Sequence, residues 1–199
     1  MPVSAEPVEG GLRERSKRRR AGQILAAARA LLRESPHEAP SVDRIAARAE
    51  VSPATVFNLI GPRKKLWACL AEELLVELER RTARVEDPDP RARARRIVVT
   101  AADLLCEDAP VYRHVLAHWH ESGRLLHQDP TPQLVACLRA AREEGTLRTD
   151  IDIDRLGQAI STACLGAAHQ WAAGVIDDDE LRARCRTAAD LAFVGRTAG

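Results

Sequence analysis

Two short helical segments joined by a tight turn, within residues 41–60, constrain the fold of this chain more than any other feature. Ser41 is predicted to be an N-cap, and Ser52 followed by Pro53 is a typical start for the second helix. Ala46 lies where the two helices must approach closely. This pattern is typical of a helix-turn-helix, whose second helix enters the major groove of DNA. Its apolar residues are Ile45, Ala49, Val51, Val56 and Leu59.

The rest of the chain also favours helices. Only 3% of its 199 residues are aromatic, and Ala, Leu, Arg and Glu dominate. Proline and glycine residues separate segments with helical apolar spacing, and no strand pattern occurs. We therefore predict an all-α fold of about nine helices. Besides the two short helices, these are expected at residues 18–35, 63–85, 91–107, 111–126, 131–145, 153–173 and 178–194.

The net charge of +1 conceals an uneven distribution. Residues 1–66 contain 13 Lys and Arg against 7 Asp and Glu, whereas residues 67–199 contain 17 against 22. A basic first third is typical of a nucleic-acid-binding module that is joined to a domain with another function. On charge alone, an ordinary uneven surface remains the alternative.

Several protein classes are disfavoured by missing motifs. We predict neither an enzyme nor a cofactor, because the sequence contains no Gly-rich phosphate loop, Gly-x-Ser-x-Gly elbow or His-Glu-x-x-His pair. The five cysteines contain no Cys-x-x-Cys pair, so we interpret them as small buried hydrophobes, with a redox-sensing thiol as the alternative. Arg29 and Arg33 interrupt the apolar run that follows the basic N-terminus, which predicts a cytoplasmic protein rather than a secreted one.

Residues 41–66 resemble the DNA-binding end of the tetracycline-repressor-like (TetR) family of bacterial transcription regulators. The resemblance rests on the basic first helix, the helix-turn-helix and the segment from Phe57 to Leu66. It implies an all-helical homodimer with an N-terminal DNA-reading domain and a larger C-terminal domain that dimerises and holds an inducing ligand. We accordingly expect a disordered basic arm over residues 1–16, a DNA-binding domain over 17–62, and a ligand-binding and dimerisation domain over 63–199.

Four positions depart from the family pattern, among them Pro62, which replaces the usual serine cap and leaves Gly61 as the N-cap. Glu50 occupies the turn where the family prefers glycine, and a left-handed conformation there costs on the order of 1 kcal/mol. Phe57 lacks the hydroxyl of the usual tyrosine, and Leu59 replaces a frequent histidine or tyrosine. Two customary phosphate donors are therefore missing, and contacts to the DNA backbone must depend more on basic residues.

Only the second helix of the motif can present side chains to base edges. Asn58 can pair with adenine through two hydrogen bonds, while Ala54 and the Thr55 methyl group can pack on thymine methyls. Pro53 is a further candidate for contact with base edges. The residues suited to phosphates are Ser41, Arg44, Thr55, Arg63, Lys64 and Lys65, and the basic residues of 13–20 can follow the minor groove or add counterion release. The candidate DNA-binding residues are Ser41, Arg44, Ser52, Pro53, Ala54, Thr55, Phe57, Asn58, Arg63, Lys64 and Lys65.

The helix at residues 153–173 is small or apolar on two faces, and such a helix must be buried on two sides. Together with the last helix it resembles the four-helix dimer interface of the family, which would match a palindromic operator. The alternative is burial within one protomer. The candidate interface residues are Leu156, Ile160, Ala163, Ala167, Leu181, Cys185, Ala188 and Ala192. The second face of the helix consists of Gly157, Ser161, Leu165, Ala168 and Ala172.

Polar side chains flank the apolar stripe of the segment at residues 111–126. His114, His118 and Glu121 fall on one helical face, which leaves open a metal site, a ligand-contacting or pH-sensitive role, and plain surface histidines. We assign no metal. The candidate ligand-pocket residues are His114, His118, Trp119, Glu121, His169 and Trp171.

Together these features predict a DNA-binding transcriptional regulator, more specifically a repressor that an unknown small molecule releases from a palindromic operator. The alternative is a helical protein-interaction module with degenerate, sequence-indifferent DNA binding.

Overall fold

The computed structural model describes residues 8–36, 38–83, 87–118 and 132–194. Within these ranges the chain is all-α, as predicted, with nine helices and no strand. None of the described helices is both long and apolar enough to cross a membrane. The helices are α1 (Val8–Glu34), α2 (Val42–Arg48), α3 (Pro53–Leu59), α4 (Arg63–Thr82), α5 (Pro90–Glu107), α6 (Ala109–Ala117), α7 (Pro132–Glu143), α8 (Ile153–Ala172) and α9 (Asp178–Leu191).

The first helix is longer than predicted. It begins at Val8, so residues 8–16, which were predicted to be disordered, are helical, whereas residues 1–7 of the predicted arm lie outside the described ranges. Local polar contacts support this extension: Arg18 and Glu14 pair at 3.4 Å, and the Arg15 guanidinium donates to the carbonyl of Gly11 at 3.1 Å. Such contacts leave no apolar periodicity, which is why the sequence pattern did not reveal this part of the helix.

The chain divides into two compact units, Met1–Cys69 and Leu70–Gly199. The division falls within α4, seven residues after the expected boundary at residue 62. In the first unit, α1 packs against α2 and α3, and α2 packs against α3. Burial of each larger apolar side chain contributes roughly 1.5–3 kcal/mol. The buried residues of these three helices are Ile24, Leu25, Ala27, Ala28, Leu31, Leu32, Ile45, Ala46 and Val56.

In the second unit, α5 packs against α6, α7 and α9, and α8 packs against α6, α7 and α9. Aspartates at the N-caps of α5, α8 and α9 accept hydrogen bonds from backbone N–H groups of the first turn. Asp190 of α9 joins α9 to α5, because it accepts hydrogen bonds from the guanidinium groups of Arg95 and Arg91. These contacts, with Arg95 contributing most, lower the pKa of Asp190.

Candidate functional site

The two short helices begin where the sequence predicted. The Ser41 hydroxyl oxygen accepts a hydrogen bond from the Arg44 N–H (3.2 Å), and the Ser52 oxygen accepts one from the Thr55 N–H (3.1 Å). Both N-cap predictions are therefore confirmed. In the intervening turn Glu50 has φ 54°, the left-handed conformation that favours glycine. A hydrogen bond from the Val51 N–H to the Ala46 carbonyl (3.0 Å) closes the turn.

Helix α3 is buried on one side and open on the other. Val56 is buried with 3% of its surface exposed, whereas the Phe57 ring is 63% exposed. Thr55 is half-buried, and its hydroxyl forms a 2.9 Å hydrogen bond with that of Ser52. The remaining candidate base-reading residues are Pro53, Ala54 and Asn58, and they share the open side at helical spacing with Phe57. These four residues form the open face of α3.

The candidate phosphate-binding cations are exposed. Arg44 makes an ion pair with Glu38 at 3.4 Å, and the Arg63 guanidinium lies 5.8 Å from the centre of the Trp67 ring. Lys64 and Lys65 complete a run of three cations in the first turn of α4, which contains no acidic residue. A helix N-terminus carries partial positive charge, so this run is unfavourable for the helix itself. The exposed cations of α1 are Arg13, Arg15, Lys17, Arg18, Arg19 and Arg20.

A cavity of about 190 Å³ lies within the second unit. Among the described residues, its wall contains two hydroxyl groups, from Tyr112 and Ser161, two thiols, from Cys164 and Cys185, and no charged side chain. A site of this kind suits an uncharged apolar group. The remaining lining residues are Ala71, Leu74, Leu75, Leu78, Ile97, Val98, Ala101, Ala102, Leu105, Val115, Leu116, Leu134, Leu165, Ala168 and Leu181.

None of the described ligand-pocket candidates lines this cavity. Buried His114 stacks on His118 with 4.1 Å between ring centroids, and His169 is half-buried on α8. Trp171 is fully buried, and its indole N–H donates to Asp178 at 2.7 Å. These side chains therefore contribute to packing around α6 and α8 rather than to the cavity wall.

Two further ligand-pocket candidates, Trp119 and Glu121, lie outside the described ranges. Among the residues that are described, no three His, Cys, Asp or Glu side chains form a cluster that could hold a metal ion.

Some of the cavity-wall residues that the sequence analysis did not predict belong to a pattern that it had recognised. Ser161, Leu165 and Ala168 belong to the second small or apolar face of α8, and this face lines the cavity. The pattern indicated that the face is covered, but not whether protein or an empty volume covers it. The aliphatic residues of α4 and α5 in the wall have the spacing of ordinary core residues, so no sequence signal distinguishes them.

The predicted dimer interface needs correction. Five of its eight residues are buried within the protomer, so they have almost no surface to offer a partner. Leu156 and Ala188 are half-buried, and Ala163 is exposed. Most of the candidate interface residues therefore belong to the core of one protomer, which was the alternative interpretation of the sequence pattern. The buried residues are Ile160, Ala167, Leu181, Cys185 and Ala192.

No protein-family model matches the sequence, and no curated protein matches it. Solved structures do match. FadR of Thermus thermophilus, a TetR-family transcriptional repressor in complex with lauroyl-CoA, is 20% identical, with a TM-score of 0.70 over 89% of this chain and 97% of that one. A TetR-family regulator from Syntrophomonas wolfei is 14% identical, with a TM-score of 0.69 over 91% and 98% of the two chains.

A TetR transcription regulator from Haloarcula marismortui is 22% identical, with a TM-score of 0.66 over 87% of this chain and 96% of its own. All three matches extend over nearly the whole length of the known proteins, so both units take part in the likeness. The chain has the fold of the TetR-family transcriptional regulators.

Proposed function

We propose that this chain is a TetR-family transcriptional regulator, which binds a palindromic operator as a homodimer and releases it when a small molecule fills the cavity. The observation that carries the proposal is the open face of α3. This face starts at a capped helix N-terminus and presents Asn58 to solvent within a unit that is rich in exposed cations. A recognition helix needs this combination.

Base reading is assigned to the open face of α3. Asn58 supplies the amide that pairs bidentately with adenine, worth roughly 1–3 kcal/mol of discrimination. Ala54 and the exposed Phe57 ring supply apolar contacts to thymine methyl groups. Thr55 contributes less to this face than the sequence suggested, because it is half-buried and its hydroxyl is paired with Ser52.

Phosphate contacts are assigned to the cations of α4 and α1. The run Arg63, Lys64 and Lys65 opposes the dipole of its own helix, and a DNA phosphate would offset that cost. The basic part of α1 is helical, and a helix is about 10–12 Å wide, whereas the minor groove is only about 6 Å wide. In this conformation the cations of residues 13–20 can neutralise phosphates, but the helix that carries them is too wide to lie in the minor groove.

The homodimer is assigned to the outward faces of α8 and α9. On α8 this face consists of small exposed residues, including Ala159, Ala163 and Gly166. Leu191 at the end of α9 is 65% exposed, as is Val194 beyond it, and large exposed apolar side chains mark an interaction surface. A second copy of the chain is the proposed partner, because a two-fold dimer matches two half-sites of a palindrome.

The ligand is proposed to insert an aliphatic chain into the cavity. The wall is almost entirely aliphatic, and burial of a hydrocarbon chain there gains about 25 cal/mol per Å² of apolar surface. The lauroyl-CoA complex of the Thermus protein supplies a suitable probe. Ligand binding would favour a dimer geometry that no longer fits successive major grooves, which couples the cavity to DNA affinity.

Selection of bound fragments from random DNA, at about 0.15 M salt to suppress nonspecific binding, tests the proposal. We expect the purified chain to enrich a palindrome. Asn58→Ala should then cost roughly 1–3 kcal/mol on that site and relax its base preference, whereas Lys64→Ala should weaken all sequences alike. Arg139→Ala, which removes an exposed cation of the second unit, is the control for loss of charge and should leave binding unchanged.

Failure to enrich any sequence would contradict the proposal and favour the protein-interaction module. Equal losses on selected and random DNA for both Asn58→Ala and Lys64→Ala would contradict the assigned roles of these residues.

A further inference from the structure

Two cysteine thiols meet in the wall of the cavity. Cys164 of α8 and Cys185 of α9 lie close enough that each changes the pKa of the other, and both are free thiols. Cys185 is buried with 3% of its surface exposed, and Cys164 is partly buried against the same core. The two cysteines lie on helices that pack against each other, and both residues line the cavity.

The two thiols are not equivalent. The nearby Cys185 thiol lowers the pKa of Cys164 and overcomes the opposing effect of burial, whereas the same contact raises the pKa of Cys185. Cys164 is assigned as the nucleophile of the pair because it is only partly buried, so a peroxide in the cavity can reach it, whereas Cys185 is 3% exposed. The lowered pKa of Cys164 agrees with this assignment, because the thiolate is the reactive form of cysteine. Cys185 is positioned as the thiol that resolves an oxidised Cys164.

Two other cysteines lack this arrangement. Burial, with the nearby carboxylate of Asp178, raises the pKa of Cys106 to about 11. Burial also raises the pKa of Cys137, and the nearby Arg93 opposes this shift only in part. Neither residue has a neighbouring thiol as its partner in these contacts, so neither is set up to form a disulfide in place. Cys137 is a matched control because it is buried in the core of the same unit.

We propose that Cys164 and Cys185 are a modification site, at which an apolar organic hydroperoxide that enters the cavity oxidises the two thiols to an intramolecular disulfide. The inference uses the cavity but depends neither on the ligand proposed above nor on DNA binding. An apolar hydroperoxide is favoured over hydrogen peroxide because the wall is aliphatic and uncharged.

The reaction proceeds in two steps. The Cys164 sulfur attacks the terminal oxygen of the peroxide, the O–O bond breaks, and the organic part leaves as an alcohol that carries the proton from Cys164. Cys164 is then a sulfenic acid. The Cys185 sulfur attacks the Cys164 sulfur, the S–O bond breaks, and the hydroxyl group leaves as water with the proton from Cys185. Two thiols are oxidised, one hydroperoxide is reduced, and the products are one disulfide, one alcohol and one water.

The disulfide would link α8 to α9 across the cavity wall. Because the sulfur atoms must approach each other to bond, the link changes the shape of the wall at this point. Oxidation would therefore alter what the cavity can hold, by a route that needs no bound ligand.

The test is oxidation of the reduced full-length protein with cumene hydroperoxide, without DNA. We expect free thiols to fall from five to three, and peptide mapping without reductant to show a Cys164–Cys185 linkage. Cumene hydroperoxide should react roughly tenfold faster than hydrogen peroxide, because its ring is buried on the aliphatic wall. In Cys185→Ser, Cys164 should stop at the sulfenic acid, which dimedone traps, and Cys137→Ser should behave as wild type.

Three results would overturn the proposal: a linkage that involves another cysteine, oxidation of Cys164→Ser at the wild-type rate with the same thiol loss, or reaction of wild type only in urea. The comparison of native and urea-unfolded wild type keeps the test decisive if a serine variant folds poorly. Since every readout is thiol content or mass, a negative outcome would leave the proposed DNA-binding function untouched.

Discussion

The two units of this protein differ in where their candidate sites lie. In the first unit the candidate residues project from the surface, on a helix whose cap and turn are set by neighbours a few residues away. In the second unit the candidate site is an interior volume that helices distant in the sequence leave unfilled. A surface site of this kind can be identified from local sequence. An interior site is defined by packing, and it becomes visible only when the helices are assembled.

The largest expected effect comes from a substitution on the outward face of α8. It tests whether the second unit, like the first, has a functional surface. A Cβ atom added to Gly166 meets nothing within 4 Å, so Gly166→Arg should fold normally. In a two-fold dimer it would place two arginines together at a cost of several kcal/mol, weakening dimerisation more than roughly a hundredfold. Sedimentation equilibrium measures this change. Gly22→Arg, at a similarly open glycine of α1, is the control and should leave the dimer intact.

The next largest effect is on the free energy of unfolding, and it compares a residue of the packed core with a residue of the cavity wall. Leu138 is fully buried away from the cavity, so Leu138→Ala should lower the free energy of unfolding by about 2–5 kcal/mol. Leu165 borders the cavity and is only half-buried, so Leu165→Ala should cost about 1 kcal/mol, since fewer atoms contact the lost group. Urea unfolding measures both. Equal losses would show that the wall is packed like the rest of the core.

The difference between a site on the surface and a site formed by packing explains which features the sequence could predict. The caps at Ser41 and Ser52 and the left-handed Glu50 depend on contacts within about four residues, and all three agree with expectation. The early start of α1 was missed because its first turns are held by polar pairs, which leave no apolar pattern.

The sequence did not indicate the cavity, because the polar side chains of the α6 segment suggested a ligand there, whereas the cavity is defined by how aliphatic side chains pack. Trp171 illustrates the limit. Its sequence neighbours indicate burial, but only the assembled turn between α8 and α9 shows that Asp178 satisfies its indole N–H. The candidate interface residues of α8 and α9 raise a similar problem. A helix face that contacts a partner and one that contacts the protomer's own core are both apolar, so sequence periodicity cannot distinguish the two cases.

The strained turn of the first unit gives a smaller effect. Glu50 adopts a left-handed conformation that costs a non-glycine residue about 1–2 kcal/mol. Glu50→Gly should remove this strain and, after the greater entropy of the unfolded chain is subtracted, stabilise the protein by up to about 1 kcal/mol. Thermal unfolding measures the gain. Glu50→Ala keeps the strain and is the control, and an equal gain in both variants would exclude the conformational explanation.

The smallest expected effect is the loss of stability when the ion pairs between α5 and α9 are removed. This loss depends on pH. The pKa of Asp190 is lowered in the folded protein, so its contribution to stability is present above the ordinary value of 3.8 and is lost as pH falls below it. Asp190→Asn should cost less than about 1 kcal/mol at neutral pH, because the pairs are partly solvated. This difference from wild type should shrink in urea unfolding as the pH falls below 3.8 and Asp190 becomes protonated.

Asp154→Asn, at a carboxylate that is 77% exposed, is the control for the Asp190 measurement. A difference between wild type and Asp190→Asn that persisted unchanged in acid would contradict the assigned ion pairs.

The most direct measurement is the affinity for the selected operator with and without saturating lauroyl-CoA. Wild type should lose affinity by about 5–150-fold, the usual range of coupling between two sites. Ser161→Phe, which adds a ring to the cavity wall, should bind the operator as wild type does but should no longer respond to lauroyl-CoA. An unchanged operator affinity in wild type, with calorimetry showing that lauroyl-CoA is fully bound, would contradict the link between the interior site and the surface site.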